Sequence, residues 1–592
     1  MTEAREAGDH ARNHISDHNQ FFSLKGISNL VAGRDLFACL IVCLVATLVL
    51  TPIYLRGFPA GTDVGFHFRW VNEFSEAWRE PGVWYPRWLG TANNGQGSPV
   101  LFYYPPLSIF VAGALKILVG DTLRALSLSC WLALTLSGLT MYAFSRSILS
   151  HWPSLIAALL YVLAPYHLFV LYHGSSMAEF WSFVWLPLLF HMTRRVAQEG
   201  SWVSIGCLGV SYALLLMTHL PASFLATLFL PFYVLLLTRE FSRLFAIGAG
   251  LCLGLALAAV FLAPVVFERD YVNIAALLRF AYPSFFLFQH VNEAFATRLL
   301  LPETPADDFV EDIKANSYVY LLKTEQVAVG ILVLVIISAV ILMRSALTRP
   351  MFKCALHRAV TLITVLALVM TTVLTEGVWR LIPQLPLLQF PSRFLVIATA
   401  TSCLFVAVTA TSAARYKFGI LWVTPIAAAV AFNLLLSAFV IIRMPLDEEA
   451  LNATVLRREV PEYRTFWWDG KLHEDETLPS VVTVSGTADI QAQDDRGINQ
   501  AYLVSAATSS ELRFRTLYFP GWTARVDSRP IETVPSEQGR ILIRVEQGQH
   551  EVKLNLEDTG PRAAGRVIST AGLVILIAGF AVAIRRKVMS GP

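Results

Sequence analysis

Apolar runs of about 17–25 residues recur along most of this chain, the length a bilayer core demands of a helix. They fall at 36–56, 123–145, 154–172, 179–196, 203–219, 222–238, 243–266, 326–344, 358–375, 393–412, 418–441 and 566–584, and predict about twelve spans. Alternate connections hold Arg146; Arg194 and Arg195; Arg239 and Arg243; Arg344, Arg349, Lys353 and Arg358; Arg415 and Lys417; and Arg585, Arg586 and Lys587. With Arg34 ahead of the first run, these define one cytoplasmic side and put both termini on it. Residues 102–119 are also apolar, beginning Phe102-Tyr103-Tyr104-Pro105-Pro106. A crossing there would turn the later basic loops outward. An interfacial or re-entrant helix with its aromatics at headgroup level is therefore predicted.

Three outer segments are long: 57–101, about 267–325, and 443–565. The last alternates with period two, in Ser480-Val-Val-Thr-Val, Glu511-Leu-Arg-Phe-Arg-Thr-Leu-Tyr-Phe, Ile541-Leu-Ile-Arg-Val and His550-Glu-Val-Lys-Leu-Asn-Leu. Turn residues separate these stretches at Pro520-Gly521, Asp527-Ser528-Arg529-Pro530 and Gln547-Gly548. Half-buried strands with such spacing predict a small β-sandwich. The expected organisation is a cytoplasmic tail (1–35), a helical membrane domain (36–442), an extracytoplasmic β-rich domain (443–565), and a last span with a basic tail (566–592).

Composition sharpens this picture in three places. Of 592 residues, 55% are hydrophobic and 15% charged, against roughly a quarter charged in a soluble domain. Mean hydropathy is +0.55. The net charge of +3 says little, and no nucleic-acid partner is expected. Six of the seven cysteines lie inside apolar runs and Cys354 in a short basic loop, so neither a disulfide framework nor a CxxC metal site is expected. About 35 polar residues, with His10, His14 and His18, precede the first run; an uncleaved first span fits better than a signal peptide.

Ionisable groups at membrane depth are costly, so where they sit is informative. The basic side is explained by topology. The other side gathers acids, bases and histidines: Asp63, His67, Arg69, Arg87, His173, Glu179, His219, Glu268, Arg269, Asp270, Arg380 and Arg393. Asp63 and His67 stand four apart, on one face of a helix if one forms. Asp63 is then a candidate general base with His67 orienting it or binding substrate. Alternatively the two are metal ligands, or Asp63 is simply a helix cap. Arg393, in Gln389-Phe390-Pro391-Ser392-Arg393, suits a phosphate, whose geometry a guanidinium matches with two parallel hydrogen bonds. It could equally pair with Glu179 or Glu268. Trp467, Trp468 and Trp522 could stack on sugar rings or fill the β core.

The chain resembles the GT-C glycosyltransferases. More closely, it is similar to the bacterial membrane proteins known as "6-pyruvoyl-tetrahydropterin synthase-related", akin to the YfhO-like group. The resemblance rests on Asp63-Val-Gly-Phe-His67, Tyr85-Pro-Arg-Trp88, Phe102-Tyr-Tyr-Pro-Pro106, Ala178-Glu179, His219-Leu-Pro221, Leu388-Gln-Phe-Pro-Ser-Arg393 and Tyr518-Phe-Pro-Gly-Trp522, in order along nearly the whole chain. It implies a polytopic GT-C-like helical fold in the bacterial inner membrane, with loops and β domain on the periplasmic side. It also implies transfer of a sugar from a polyprenyl-phosphate donor to an envelope acceptor (lipid, glycan or protein). Asp63 would be the base of an inverting displacement, and Arg393 or Arg87 would neutralise the leaving phosphate. His67, Glu179, His219 and Glu268 would complete the substrate site. A divalent ion on Asp63 and Glu179 would fit some relatives, yet the first loop lacks their tight acidic pair. The soluble pterin synthases carry a zinc-binding histidine cluster, and no such cluster occurs in any soluble stretch here. Two other functions stay open: a flippase for lipid-linked saccharides, and a non-catalytic scaffold whose β domain binds envelope material.

Overall fold

The structure is a computed structural model that describes residues 33–79, 82–274, 276, 286–287, 329–331, 333, 355–415, 420–442, 460–468, 479–495 and 497–589. The N-terminal histidines, nearly all of the 267–325 loop beyond residue 276, and the apolar run at 326–344 lie largely outside the described residues. The helices used below are α1 (Gly33–Arg56), α2 (Val64–Ala77), α3 (Leu107–Val119), α4 (Thr122–Arg146), α5 (His151–Val162), α6 (Met177–Glu199), α7 (Trp202–Leu216), α8 (Leu220–Leu237), α9 (Phe241–Leu257), α10 (Ala259–Phe267), α11 (Ala355–Val369), α12 (Leu395–Arg415), α13 (Ile420–Ile442) and α14 (Gly560–Met589).

Among the described residues, six helical stretches are long and apolar enough to cross a bilayer: Gly33–Arg56, Thr122–Arg146, His151–Gly174, Leu220–Leu237, Pro391–Thr409 and Gly560–Arg586. A bent pair, α9 with α10, makes a seventh if it is one span. The expected count of about twelve is not reached. Hydropathy counts apolar residues and cannot see where a helix stops. α7 has only 15 residues, and at about 1.5 Å per residue it falls short of a hydrocarbon core of about 30 Å. α3, in the 102–119 stretch that is not one of the twelve runs, has 13 residues and is too short to cross as well.

The bend of 76° between α9 and α10 leaves backbone groups without helical partners. Ser569 of α14 supplies them. Its hydroxyl accepts from the Val260 N–H at 2.7 Å and lies 3.1 and 3.0 Å from the Ala256 and Leu257 carbonyls, to which it can donate. α14 comes this close because Gly565, Gly572 and Gly579, seven apart, present no side chain to α10, α9 and Trp202. Its other faces carry exposed Val567, Ile577 and Val588, as a lipid-facing helix should.

The C-terminal β domain packs two antiparallel sheets. One is ordered β1-β4-β8-β7 and the other β2-β3-β9-β5-β6, with β1 at Val481–Ser485, β2 at Ala488–Asp494, β3 at Asn499–Ala506, β4 at Ser510–Leu517, β5 at Trp522–Val526, β6 at Arg529–Ile531, β7 at Val534–Pro535, β8 at Arg540–Val545 and β9 at Gly548–Leu556. The alternating residues of β4 (Leu512, Phe514) meet those of β3, β8 and β9 (Tyr502, Ile541, Ile543, Val552, Leu554) in one core. Each such buried side chain contributes roughly 1.5–3 kcal/mol. Asp527 and Ser528 both have positive φ (48° and 68°), the hairpin geometry whose twist matches the strands it joins.

That core does not end at the β domain. Trp88, Phe102 and Tyr103 belong to it, and Trp522 lies edge-on to Trp88 at 5.4 Å. Trp522 is therefore a packing residue and not a platform for sugar. At the same seam Arg562, at the start of α14, is fully buried. Its Nε donates to Glu268 Oε2 at 2.8 Å and its guanidinium lies 4.1 Å from the Phe102 ring centre. Thr559 donates to the other Glu268 oxygen, and Tyr103 to its carbonyl at 2.7 Å.

Removing one partner of such a pair leaves an uncompensated buried charge. Arg562→Met should cost about 3–5 kcal/mol. The double variant Arg562→Met with Glu268→Met should cost clearly less. Thermal unfolding in detergent checks this, and equal losses would show that the pair is not what fixes the seam.

Candidate functional site

The loop Gly61–Asp63 docks on the chain between α5 and α6. There His151–Val162 gives way to a short helix, Pro165–Phe169, and then to a single π turn, Val170–Gly174. π turns often mark functional sites. Thr62 and Asp63 donate their N–H groups to the carbonyls of His173 (3.2 Å) and Gly174 (3.0 Å). Gly61 is required by this approach: a Cβ there would sit 2.4 Å from Ser175 Oγ and 2.6 Å from the His173 carbonyl. Ser175 turns the chain with φ 48°, and Ser176 then donates its hydroxyl to Asp63 Oδ2 at 2.5 Å. Asp63 occupies the N-cap position of α2, but its side chain bonds no helix N–H. The partly exposed carboxylate is held from the α6 side instead.

His67 lies one turn on and is buried, 2% exposed. The spacing of four places it on the same face as Asp63, but its ring turns away from the carboxylate. Its Nε2 accepts from the Met177 N–H, the first of α6, at 3.3 Å and stands 3.5 Å from the Tyr104 hydroxyl. Burial pushes its pKa down to about 4, against the opposing pull of Asp63. The imidazole is a neutral cap for α6.

Glu179 sits in the first turn of α6. Its Oε1 accepts from the Tyr166 hydroxyl at 2.7 Å, and its Oε2 lies 3.8 Å from Arg393 Nε. Of the two partners considered for Arg393, the structure thus selects Glu179. Arg393 is aimed by an unusual piece of backbone. Gln389 has φ 63° and ψ −56°, and Phe390 N–H donates to Leu388 O at 2.7 Å. This is the rare positive-φ γ-turn, a strained form. The same Leu388 carbonyl accepts from Arg393 Nη1 at 2.7 Å. His219 caps α8 through Nδ1, which accepts from the Ala222 N–H at 3.4 Å, and it lies within electrostatic reach of Arg393.

A further group comes from the lead into the β domain. The turn Pro461–Tyr463 lies against the first outer loop, with Tyr463 stacked 6.5 Å from Tyr103 and edge-on to Tyr104 at 6.4 Å. Three backbone links hold it to the chain after α10: the Val272–Thr465 bridge, Asn273 N–H to Arg464 O, and Phe466 N–H to Tyr271 O. Glu462 on this turn faces Asp63, Arg393 and Arg464. Burial raises its pKa, a hydrogen bond from its own backbone N–H lowers it, Asp63 adds to the rise, and the two arginines oppose it. Nothing in the local sequence marks Glu462; it reaches the site only through the fold.

The structure therefore brings Asp63, Glu179, His219 and Arg393 to one end of the bundle, with His67 beneath and Glu462 above. It places Glu268 and Arg87 elsewhere. Glu268 is held by Arg562 at the seam. Arg87 is buried there too, donating to Val260 O at 3.3 Å with its guanidinium 4.5 Å from the Tyr85 ring centre.

A divalent ion does not fit this donor set. Asp63 is engaged by Ser176 and Glu179 by Tyr166, while a guanidinium stands beside Glu179 where a cation would compensate it. Among the described residues no group of three or more His, Cys, Asp or Glu is arranged to hold a metal ion.

Residues 101–286 match the family model described as "6-pyruvoyl-tetrahydropterin synthase related domain; membrane protein". This stretch is similar to that domain, and the described residues hold several helices long and apolar enough to cross a membrane. The matched stretch includes Tyr104, Glu179 and His219, whereas Asp63, Arg393 and Glu462 lie outside it. No curated protein matches. Among solved structures the chain is similar to the Archaeoglobus fulgidus oligosaccharyltransferase crystallised in complex with Zn and sulfate, with 14% identity and a TM-score of 0.36, covering 73% of this chain. It spans only 59% of that protein's length. At this level the likeness carries no argument.

The buried neutral His67 makes stability acid-sensitive. Its pKa is about 6.5 unfolded and about 4 folded, so its contribution is complete above pH 6.5 and lost as pH falls from there through 4. The loss should be on the order of 3 kcal/mol. Thermal melts of wild type and His67→Phe across this range test it. The variant should lack that segment of the pH profile; an identical profile would place the acid sensitivity elsewhere.

Proposed function

We propose that this protein is a glycosyltransferase of the bacterial inner membrane. It moves a sugar from a polyprenyl-phosphate donor to an envelope acceptor on the extracytoplasmic side. One observation carries the reading: a partly exposed carboxylate, Asp63, freed from helix capping and held by Ser176, at the end of the bundle where a half-buried Arg393 is positioned by Glu179 and a strained turn.

Asp63 takes the proton of an acceptor hydroxyl. The acceptor oxygen attacks the anomeric carbon from the face opposite the phosphate, the carbon–oxygen bond to the phosphate breaks, and the configuration inverts. The leaving group is already a stable anion, so it needs charge neutralisation more than a proton. Arg393 meets that need. Its location beside the N-terminal ends of α6 and α8 adds to it, because the helix dipoles present partial positive charge there. Glu179 and the Leu388 carbonyl keep Arg393 in place, His219 caps α8, and His67 holds the start of α6. The turn carrying Glu462 and Tyr463 closes the acceptor side. No step uses Glu268 or Arg87, whose charges serve the seam, and no step uses a metal ion.

The test is transfer from a panel of radiolabelled polyprenyl-phosphate sugars to a crude envelope fraction by purified protein. Asp63→Asn should lower transfer by about 10²–10⁴-fold, the usual contribution of a general base, with its melting temperature intact. Equal transfer by variant and wild type would remove Asp63 from the chemistry.

A further inference from the structure

The polar end of the bundle holds side chains of two kinds. His67, Glu179 and His219 are buried, and each is bonded to a neighbouring element or cap. Asp63, Tyr104, Arg393 and Glu462 are half-buried and line the opening. Of these four, Arg393 is committed to Glu179 and the Leu388 carbonyl. The other three have hydrogen-bonding capacity left over. Asp63 Oδ2 is taken by Ser176, while Oδ1 has only the exposed Thr62 hydroxyl at 3.3 Å. The Tyr104 hydroxyl has His67 Nε2 at 3.5 Å, too long for a firm bond, and that nitrogen already accepts from the Met177 N–H. Tyr104 cannot turn away, because Trp70 and Tyr463 pack its ring at 4.6 and 6.4 Å. It lies within electrostatic reach of Asp63. Glu462 is placed against its own interest. Its carboxyl bonds to its own N–H, and among the described residues it makes no ion pair and no other hydrogen bond. A second acid, Asp63, is within its electrostatic reach. Holding two acids together in partial burial costs free energy unless something else meets them. The turn nevertheless fixes Glu462 there, through the Tyr103 stack and the backbone links to Tyr271–Asn273. Two carboxyls and a phenol with spare capacity suit hydroxyl groups, which donate to the former and both donate to and accept from the latter. They do not suit a second phosphate, which the two acids repel.

We infer that Glu462 and Tyr104 recognise the acceptor, and that the acceptor is a sugar ring presenting two neighbouring hydroxyls. The inference rests on the proposed function for Asp63 and deepens it, by choosing a glycan among lipid, glycan and protein acceptors. Asp63 takes the proton of one hydroxyl, whose oxygen forms the new bond to the anomeric carbon as the bond to the phosphate breaks. Glu462 accepts a hydrogen bond from the neighbouring hydroxyl, and Tyr104 donates to an oxygen of the same ring. A lone hydroxyl, such as that of a serine or threonine side chain, would satisfy Asp63 and leave Glu462 unmet.

The experiment uses the full-length purified protein, the radiolabelled polyprenyl-phosphate sugars and a crude envelope fraction left intact, treated with periodate or treated with proteinase. Periodate cleaves neighbouring diols and spares lone hydroxyls. Transfer should be lost after periodate and survive proteinase. Glu462→Leu should raise the amount of envelope fraction that gives half-maximal rate by about tenfold or more, with the donor requirement unchanged. Glu462→Gln, which keeps one acceptor oxygen, should recover part of that loss, and Tyr104→Phe should show a smaller rise in the same quantity. Melting temperatures check folding, and a merely structural role would not separate the acceptor requirement from the donor requirement. Transfer that survives periodate or is abolished by proteinase would overturn the assignment and leave Asp63-based transfer standing. An unchanged acceptor requirement in Glu462→Leu would do the same. No transfer by wild type from any donor would overturn both.

Discussion

A segment that leaves helical geometry in a membrane protein must find partners for its freed N–H and C=O groups within the protein, because hydrocarbon offers none. This chain meets that constraint by collecting much of its irregular backbone at one end of the bundle and packing it against itself. The π turn at Val170–Gly174, the left-handed Ser175, the γ-turn at Gln389 and the bend at Ala258 each have identified partners. The first two receive the Gly61–Asp63 loop, the third aims Arg393, and the bend delivers Glu268 to the seam. The polar site is in this sense a by-product of satisfying the backbone. The same carbonyls and hydroxyls that close broken helices also orient Asp63 and Arg393.

The electrostatics follow from the same crowding. Asp63, Glu179 and Glu462 bring three acids to a site with two arginines, Arg393 and Arg464, and each acid has a different environment. Glu179 is buried and bound at both oxygens, which suits a group that holds another group still. Glu462 is half-buried, and desolvation of its carboxyl pushes it toward its neutral form. Asp63 accepts from the Ser176 hydroxyl on one oxygen and, more loosely, from the exposed Thr62 hydroxyl on the other, and remains partly open. Three carboxylates with three environments point to three roles, and only Asp63 is both open and held in a fixed direction. A protein-bound guanidinium beside the acids also explains why the donor set does not suit a metal ion.

Much of this was legible in the sequence, for identifiable reasons. Period-two alternation marked β1, β4, β8 and β9; buried residues alternate along β4 and recur in β8 and β9, whereas β1 has none. It could not mark β2, Ala488–Asp494, a mostly exposed edge strand with no apolar face to write into the pattern. Among the described residues the span count of about twelve is not confirmed, and at Ala258 a break of 76° interrupts an apolar run that composition reads as continuous. Arg393 and Glu179 stood out because each is a charge at the end of an apolar run. Glu268 stood out on the same ground and does something else. Its partner Arg562 is 294 residues away, and that pairing cannot be read from spacing. Glu462 left no mark because a single Glu between Pro and Tyr resembles any solvated turn.

The seam and the site are two ends of one connection. After α10 the chain passes Glu268, bound by Arg562 at the root of α14, and within a few residues reaches Tyr271–Asn273, which is bridged to Arg464–Phe466. That bridge sets the turn bearing Glu462 and Tyr463 over the site. The β domain is thus fixed at both of its ends to the short stretch that follows α10. Rigid attachment there has a structural consequence for the site: the turn over Asp63 cannot swing away independently of α10 and α14. Any movement of this turn away from Asp63 must strip the Tyr463 contacts with Tyr103 and Tyr104, and a tilt of the β domain must open the core it shares with Trp88, Phe102 and Tyr103.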